Sequence, residues 1–516
     1  MKGSRPYVFC GLVTGFVGVS FIVPEMLLGA AGIILLIVLG QAWLHIAAAL
    51  RAKRTPERPN VPDSYQPFVS IHLVYANEPA NVVIRSLQRL AKLDYINYEV
   101  VVFHNNAPET DDVQLVRRYC QYRPDLFTFA HRDHIPGSKA GALEWSRRLM
   151  SPHTELIAII DADYQVRPDF LRECTPYFFD PQVALVQTPQ DYIDAGTQNV
   201  GLALEFRSFF AVAMQDAQTA GAVTFTGTMG LLRAELFTDR RLAWNTGCIT
   251  EDTELGIRIN QLGYRGVYIN QSFGMGMLPL DYTSLRVQRQ RWSYGNMQVL
   301  LGHLWAIITA PRLNRTQRIS FLVQLTAWLR AELIIALCWI LAGLIQVVHP
   351  KLIVVQATFI VLGVALASSF GARAIYMVVG MGKHTARLSR RWRAFVSHAG
   401  LMGIMSTSWL RCLAGLPLHF KVTNKNAAER DATNKGYIPE LVLPGLLAVG
   451  LALQAMAGPI AIWQLVVVGT IIVLGIVGIW YVHHQFMANE DLLAGDALAI
   501  ADEAFLATRE EDGLQR

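Results

Sequence analysis

Residues 156–163 read Leu156-Ile157-Ala158-Ile159-Ile160-Asp161-Ala162-Asp163. Five apolar residues in an unbroken run suit a strand buried on both faces, and two carboxylates follow at once. Comparable runs occur at Phe68 to Tyr75, Glu99 to Phe103, Leu126 to Ala130 and Val183 to Gln187, with amphipathic helical stretches between them. This alternation predicts an α/β domain with a mostly parallel sheet. Ligands of such sheets bind beyond the carboxyl ends of the strands, so Asp161 and Asp163 stand where chemistry is expected.

On both sides of this domain the chain turns apolar. Of its 516 residues 52% are hydrophobic and 16% charged, too apolar for a soluble enzyme and too charged for an all-helical carrier. Tyr7 to Val23 and Met26 to Leu50, split by Pro24-Glu25, predict a helical membrane hairpin. The basic start from Met1 to Arg5 also suits a cleaved signal peptide, but the second apolar run favours a retained pair. Four more spans are predicted near Ala331 to Val348, Leu352 to Val378, Ile438 to Ala457 and Ile460 to Val482. Thr283 to Trp305, Arg315 to Leu329 and Lys383 to Leu413 mix basic and apolar residues as helices lying on a membrane surface do.

The expected layout is therefore a hairpin over 1–60, a soluble domain over 61–282, interface helices over 283–330, a four-span region over 331–482 and an acidic tail over 483–516. Lys2, Arg5, Arg51, Lys53, Arg54, Arg58, Lys383, Arg387, Arg390, Arg391 and Arg393 all fall on one side of it, which predicts that the soluble domain and the tail face the cytoplasm of a multi-pass cell-membrane protein. The net charge of +5 is accounted for by these membrane-flanking residues, so nucleic acid is not an expected partner. Six scattered cysteines give neither a disulfide framework nor zinc spacing.

Three short motifs carry the chemistry. Asp161-Ala162-Asp163 can merely end a strand, but paired carboxylates at a sheet edge also hold a hard divalent cation, Mg²⁺ or Mn²⁺, against a nucleotide diphosphate. Asp163 is the expected metal ligand. Thr250-Glu251-Asp252 precedes a helical pattern, so Asp252 can be a simple N-cap. A helix N-terminus also favours the ionised carboxylate, and an ionised Asp252 can take a proton from an acceptor hydroxyl. In Gln288-Arg289-Gln290-Arg291-Trp292, Gln288, Arg291 and Trp292 share one helix face and Arg289 points elsewhere. Arg291 suits a phosphate and Trp292 a sugar ring, although a membrane-surface helix also uses both residue types.

D-x-D, T-E-D and Q-x-x-R-W in this order, flanked by spans, closely resemble the processive family 2 glycosyltransferase synthases, over about Phe68 to Asn426. The resemblance implies a cytoplasmic GT-A, Rossmann-like catalytic domain set between two spans before it and four after it. It assigns Thr250, Glu251 and Asp252 to catalysis. The UDP-sugar falls to Asn77, Glu78, His104, Lys139, Asp161, Asp163, Gln288 and Arg291, and the acceptor to Trp292 with Phe225, Thr226, Gly227 and Thr228. Phe420 to Lys425 resemble the F-x-V-T-x-K gating loop of bacterial cellulose synthase, within a gating segment over 383–428, and add Thr423 and Lys425 to the UDP site.

That loop points to UDP-glucose, a growing β-glucan and its secretion. Hyaluronan and chitin synthases share the architecture but generally carry G-D-D in place of T-E-D, and a non-processive enzyme adding one sugar to a membrane lipid would share the chemistry. Two positions depart from the family pattern. His104 replaces the usual Asp, and Ala76 replaces the usual Tyr. The short tail lacks the cyclic di-GMP-binding domain of cellulose synthases, and any accessory secretion subunit is unspecified.

Overall fold

The computed structural model describes residues 5–51, 56–192, 200–239, 241–279, 281–383, 387–418 and 438–487. Helices α1 (Arg5–Ile22) and α2 (Glu25–Leu50) open the chain. The alternation predicted around Asp161 follows as β1 (Val69–Tyr75), α3 (Ala80–Leu90), β2 (Tyr98–Asn105), α4 (Asp111–Gln121), β3 (Phe127–Arg132), α5 (Ser138–Ser146) and β4 (Leu156–Ile159). Next come β5 (Gln165–Val166), α6 (Phe170–Cys174), β6 (Val183–Gln187), β7 (Asp191–Tyr192), α7 (Val200–Ser208) and α8 (Gln215–Ala220). The domain closes with β8 (Gly230–Arg233), α9 (Glu235–Thr238), α10 (Glu251–Gln261), β9 (Arg265–Tyr268) and β10 (Gly274–Gly276).

The main sheet runs β3-β2-β1-β4-β8-β6-β9, and only β8 is antiparallel to its neighbours. All seven β1 side chains are buried, because helices cover both faces of the sheet. Each predicted strand is present within two residues of its expected ends. The four-residue β8, flanked by loop residues, gives too short an apolar run to be read from the sequence. A small sheet of order β5-β10-β7 closes one edge of the site.

After the domain come α11 (Tyr282–Thr309), α12 (Arg315–Thr326), α13 (Glu332–Val348), α14 (Ile353–Ala374), α15 (Leu388–Leu413), α16 (Ile438–Ala457) and α17 (Ile462–Met487). Among the described residues five helices are long and apolar enough to cross a membrane: α1, α2, α14 with its continuation to Gly382, α16 and α17. The α13 helix is apolar but only 17 residues long. Small residues let these helices approach closely. A Cβ on Gly400 of α15 would meet the carbonyl group of Gly478 on α17. The first turns of α15 expose Leu388 and Trp392, whereas Ala394 to Ser406 is almost wholly buried, so most of this amphipathic helix runs inside the protein.

Polar contacts fasten the hairpin to the rest. Arg51 meets the fully buried Asp216 of α8 at 2.7 Å, and the Gln41 amide donates to the carbonyls of Thr326 and Leu329 at 2.9 Å. Arg330 and Glu332, which stand at the entrance of α13, are both buried in protein and paired with each other, and Ser369 donates to Glu332 at 2.8 Å.

Candidate active site

A cavity of about 870 Å³ lies beyond the carboxyl ends of β1, β2 and β4 and runs toward α11 and α12. At one end β1 stops at Ala76, Asn77 and Glu78. The Glu78 carboxylate folds back to accept from the amides of Ala76 (2.8 Å) and Asn77 (3.1 Å), and burial holds its carboxyl above the usual range. Asn105 donates to the Tyr75 carbonyl at 3.0 Å. Asn106, at φ +57°, accepts from the Ile135 amide at 2.7 Å, which fixes the turn leading into α5. These Asn side chains border the cavity and His104 does not. The His104 ring is fully buried, with Nδ1 2.8 Å from His131 Nδ1 and Nε2 2.8 Å from the Ala76 carbonyl. His104, expected at the nucleotide, thus has its ring engaged inside the domain, while Asn105 at the end of β2 and Asn106 in the turn after it border the cavity.

Lys139, in the first turn of α5, crosses the cavity to Asp161 Oδ1 at 2.5 Å and to the Gly227 carbonyl at 3.0 Å. Burial opposes its charge, but Asp161, Glu251 and Asp252 together hold it above the ordinary lysine value. Asp161 is fixed by its own amide, which donates to Thr228 Oγ1 at 2.9 Å. Asp163 Oδ2 accepts from the Met277 amide at 3.1 Å. Among the described residues no cluster of three or more His, Cys, Asp or Glu could hold a metal alone. Two neighbouring carboxylates still fit a hard cation that keeps several waters and takes its remaining ligands from substrate phosphates.

Thr250 is the N-cap residue of α10, so Glu251 and Asp252 occupy its first turn. Asp252 Oδ1 accepts from the next amide, of Thr253, at 2.7 Å. Its other oxygen faces Gly227, whose φ of +88° and missing side chain let the Phe225 to Thr228 loop pass beneath the carboxylate. Burial raises the Asp252 pKa and pushes Glu251 up to about 7, where the negative charge of Asp252 adds to the effect. The helix start alone predicts an ionised Asp252. Desolvation outweighs it, and the pair binds its protons more tightly than free carboxylates do.

From α11, Gln288, Arg291 and Trp292 all border the cavity. Gly295, one turn on from Arg291, lets α11 rest against the Thr250 side chain. Burial lowers the Arg291 pKa, against the pull of Glu251, Asp161 and Asp252. Of the acceptor set, Thr226 and Gly227 reach the cavity. Phe225 packs in the domain core against Trp244, and Thr228 is buried beneath Asp161, so neither borders the cavity. Thr423 and Lys425 lie outside the described residues. Among the wall residues that the sequence reading missed are Gln190, Tyr192, Phe206, Phe209 and Trp328. Trp328 sits at the end of a stretch read as a surface helix, and an aromatic residue there gave no separate signal.

Residues 70–241 match the family described as Glycosyl transferase family 2, and residues 156–372 match Glycosyl transferase family group 2. The chain carries glycosyltransferase family 2 domains over these residues. Similar curated proteins include glucomannan 4-beta-mannosyltransferase 7 of Arabidopsis thaliana, 28% identical over 48% of this chain and 46% of that one. A UDP-forming cellulose synthase catalytic protein of Dictyostelium discoideum is 29% identical over 34% of this chain and 17% of its own length. The aligned part of the chain thus spans less than half the length of these curated relatives. The mannosyltransferase PcManGT from Pyrobaculum calidifontis, solved with GDP-Man and Mn²⁺, overlays with a TM-score of 0.50 at 18% identity, covering 75% of this chain and 99% of that structure. Its likeness establishes the GT-A-like fold of this family 2 domain.

Proposed function

We propose that the protein is a processive, inverting transferase that polymerises glucose from UDP-glucose into a β-glucan and passes the chain across the cell membrane, with its catalytic domain in the cytoplasm. One observation carries this reading: D-x-D, T-E-D and Q-x-x-R-W, spread over more than a hundred residues of sequence, border a single cavity that runs from the strand ends to α11 and α12. Asp252 takes the proton of an acceptor hydroxyl, whose oxygen bonds to the anomeric carbon as the bond from that carbon to the diphosphate oxygen breaks. Attack opposite the leaving group inverts the configuration. Lys139 and Arg291 neutralise the departing diphosphate, Gln288 orients it, and Asn77, Glu78 and the Asn105-Asn106 pair border the nucleotide end. A divalent cation held by Asp163 and Asp161 would add Lewis-acid stabilisation of that diphosphate. The acceptor lies along Trp292 and the Thr226-Gly227 turn.

The F-x-V-T-x-K resemblance and the UDP-forming relative support UDP-glucose. A second donor, GDP-mannose, is favoured by the mannosyltransferase names of the plant relatives and by the GDP-Man of the PcManGT structure. The purified protein should be incubated with labelled UDP-glucose or GDP-mannose and Mg²⁺ or Mn²⁺, and the product digested with linkage-specific glucanases and mannanases. A long β-glucan made from UDP-glucose is the expected result. A mannan would replace the donor assignment, and a single sugar on lipid would replace the processive reading.

A further inference from the structure

Behind the Q-x-x-R-W face lies a charge that this mechanism does not use. Arg289 is fully buried and absent from the cavity wall. Its guanidinium carbon lies 4.0 Å from the ring centroid of Phe206, 4.6 Å from Trp292 and 4.8 Å from Trp328. One edge of the group pairs with the fully buried Glu205 of α7, and Glu205 in turn stands 2.9 Å from His398 Nδ1 on α15. The three rings all border the cavity, and those of Trp292 and Trp328 are 4.9 Å apart at 51°. Tyr192 against Phe206 and Phe209 against Trp328 extend the row at both ends.

Taking a guanidinium and a carboxylate out of water is costly, and an apolar side chain would fill this space more easily. What an apolar residue cannot supply is one flat cation attracted to three ring faces at once while a fixed counter-ion sets its position. Trp292 comes from α11, Trp328 from the segment after α12 and Phe206 from α7, so no single helix aligns them.

We infer that Arg289 is a positioning residue, clamped by Glu205, that fixes Trp292 and Trp328 as one continuous sugar-stacking wall, and that Trp328 is a second acceptor-binding residue beside Trp292. The inference rests on the acceptor role proposed for this end of the cavity. A growing chain held on two ring faces keeps its grip on one while it slips on the other, which suits repeated extension better than a single stack.

The test uses the full-length protein and whichever labelled donor, UDP-glucose or GDP-mannose, the wild type accepts, with product length and donor KM as readouts. Absence of polymer from the wild type would count against the processive reading itself, apart from this inference. Arg289→Lys keeps the charge beside Glu205 but loses the flat face, and should shorten the mean product about tenfold while donor KM stays within about twofold. Trp328→Ala leaves the ion pair intact, covers the case in which Arg289→Lys does not fold, and should shorten the product similarly, whereas Trp328→Phe restores most of the length. Wild-type product length in Trp328→Ala, or a rise in donor KM without shortening in either variant, overturns the inference.

Discussion

A Cβ built on Gly227 would stand 2.8 Å from Asp252 Oδ2, so the loop beneath the proposed base reaches it only because residue 227 has no side chain. Gly227→Ala must therefore displace the carboxylate and also strain a backbone at φ +88°. A misplacement near 1 Å costs on the order of 10²-fold in rate. The variant should lose that much polymer synthesis while binding UDP normally, as calorimetry would record. Unchanged synthesis would remove the loop from the reaction geometry.

Asp252→Asn removes the proposed proton acceptor and keeps the shape of the site. The expected loss is about 10²- to 10⁴-fold in turnover with donor affinity retained. Near-normal turnover would take Asp252 out of the role.

The acid limb of the pH profile follows from the same pair. A base works only when deprotonated, and burial raises the pKa of Asp252 and carries Glu251 to about 7. Activity should therefore fall on acidification at a higher pH than ordinary carboxylates would give. Since the two titrate as a unit, Glu251→Gln removes one negative neighbour and should move the limb to lower pH. A pH-rate profile of the variant that overlays the wild type would contradict the coupling.

Excess chelator should abolish turnover, and added Mg²⁺ or Mn²⁺ should restore it, because two neighbouring carboxylates are available to a cation shared with the diphosphate. Sugar transfer that continues in chelator would leave Lys139 and Arg291 as sufficient stabilisers of the leaving group.

Arg330→Ala would leave the buried Glu332 carboxylate with the Ser369 hydroxyl in place of its cationic partner. Breaking a buried pair from one side costs about 3–5 kcal/mol, whereas replacing both members with apolar residues is often neutral. Thermal unfolding in detergent should show a large drop for Arg330→Ala and a smaller one for the double variant Arg330→Met with Glu332→Leu. Equal drops would mean that the pair matters for something other than charge compensation.

The three motifs and the strand before Asp161 were legible because each is a local pattern: an apolar run, a carboxylate spacing, a helix face. Arg289 was correctly read as facing away from the Gln288, Arg291 and Trp292 side, since helical periodicity alone decides that. His104, by contrast, sits within a motif that the resemblance assigned to the nucleotide, and only the contacts with His131 and Ala76 reveal that its ring is engaged inside the domain.

By itself the sequence determined five of the strands, the apolar segments and the residue types available for sugar transfer, because these depend on composition and periodicity over short windows. The tertiary structure decided which side chains converge, that Asp252 and Glu251 share a desolvated site, and that Trp328 stands beside Trp292 over a buried cation. Each of those outcomes depends on segments far apart in the chain meeting in space, and desolvation and ring stacking are properties of that meeting and not of any one segment.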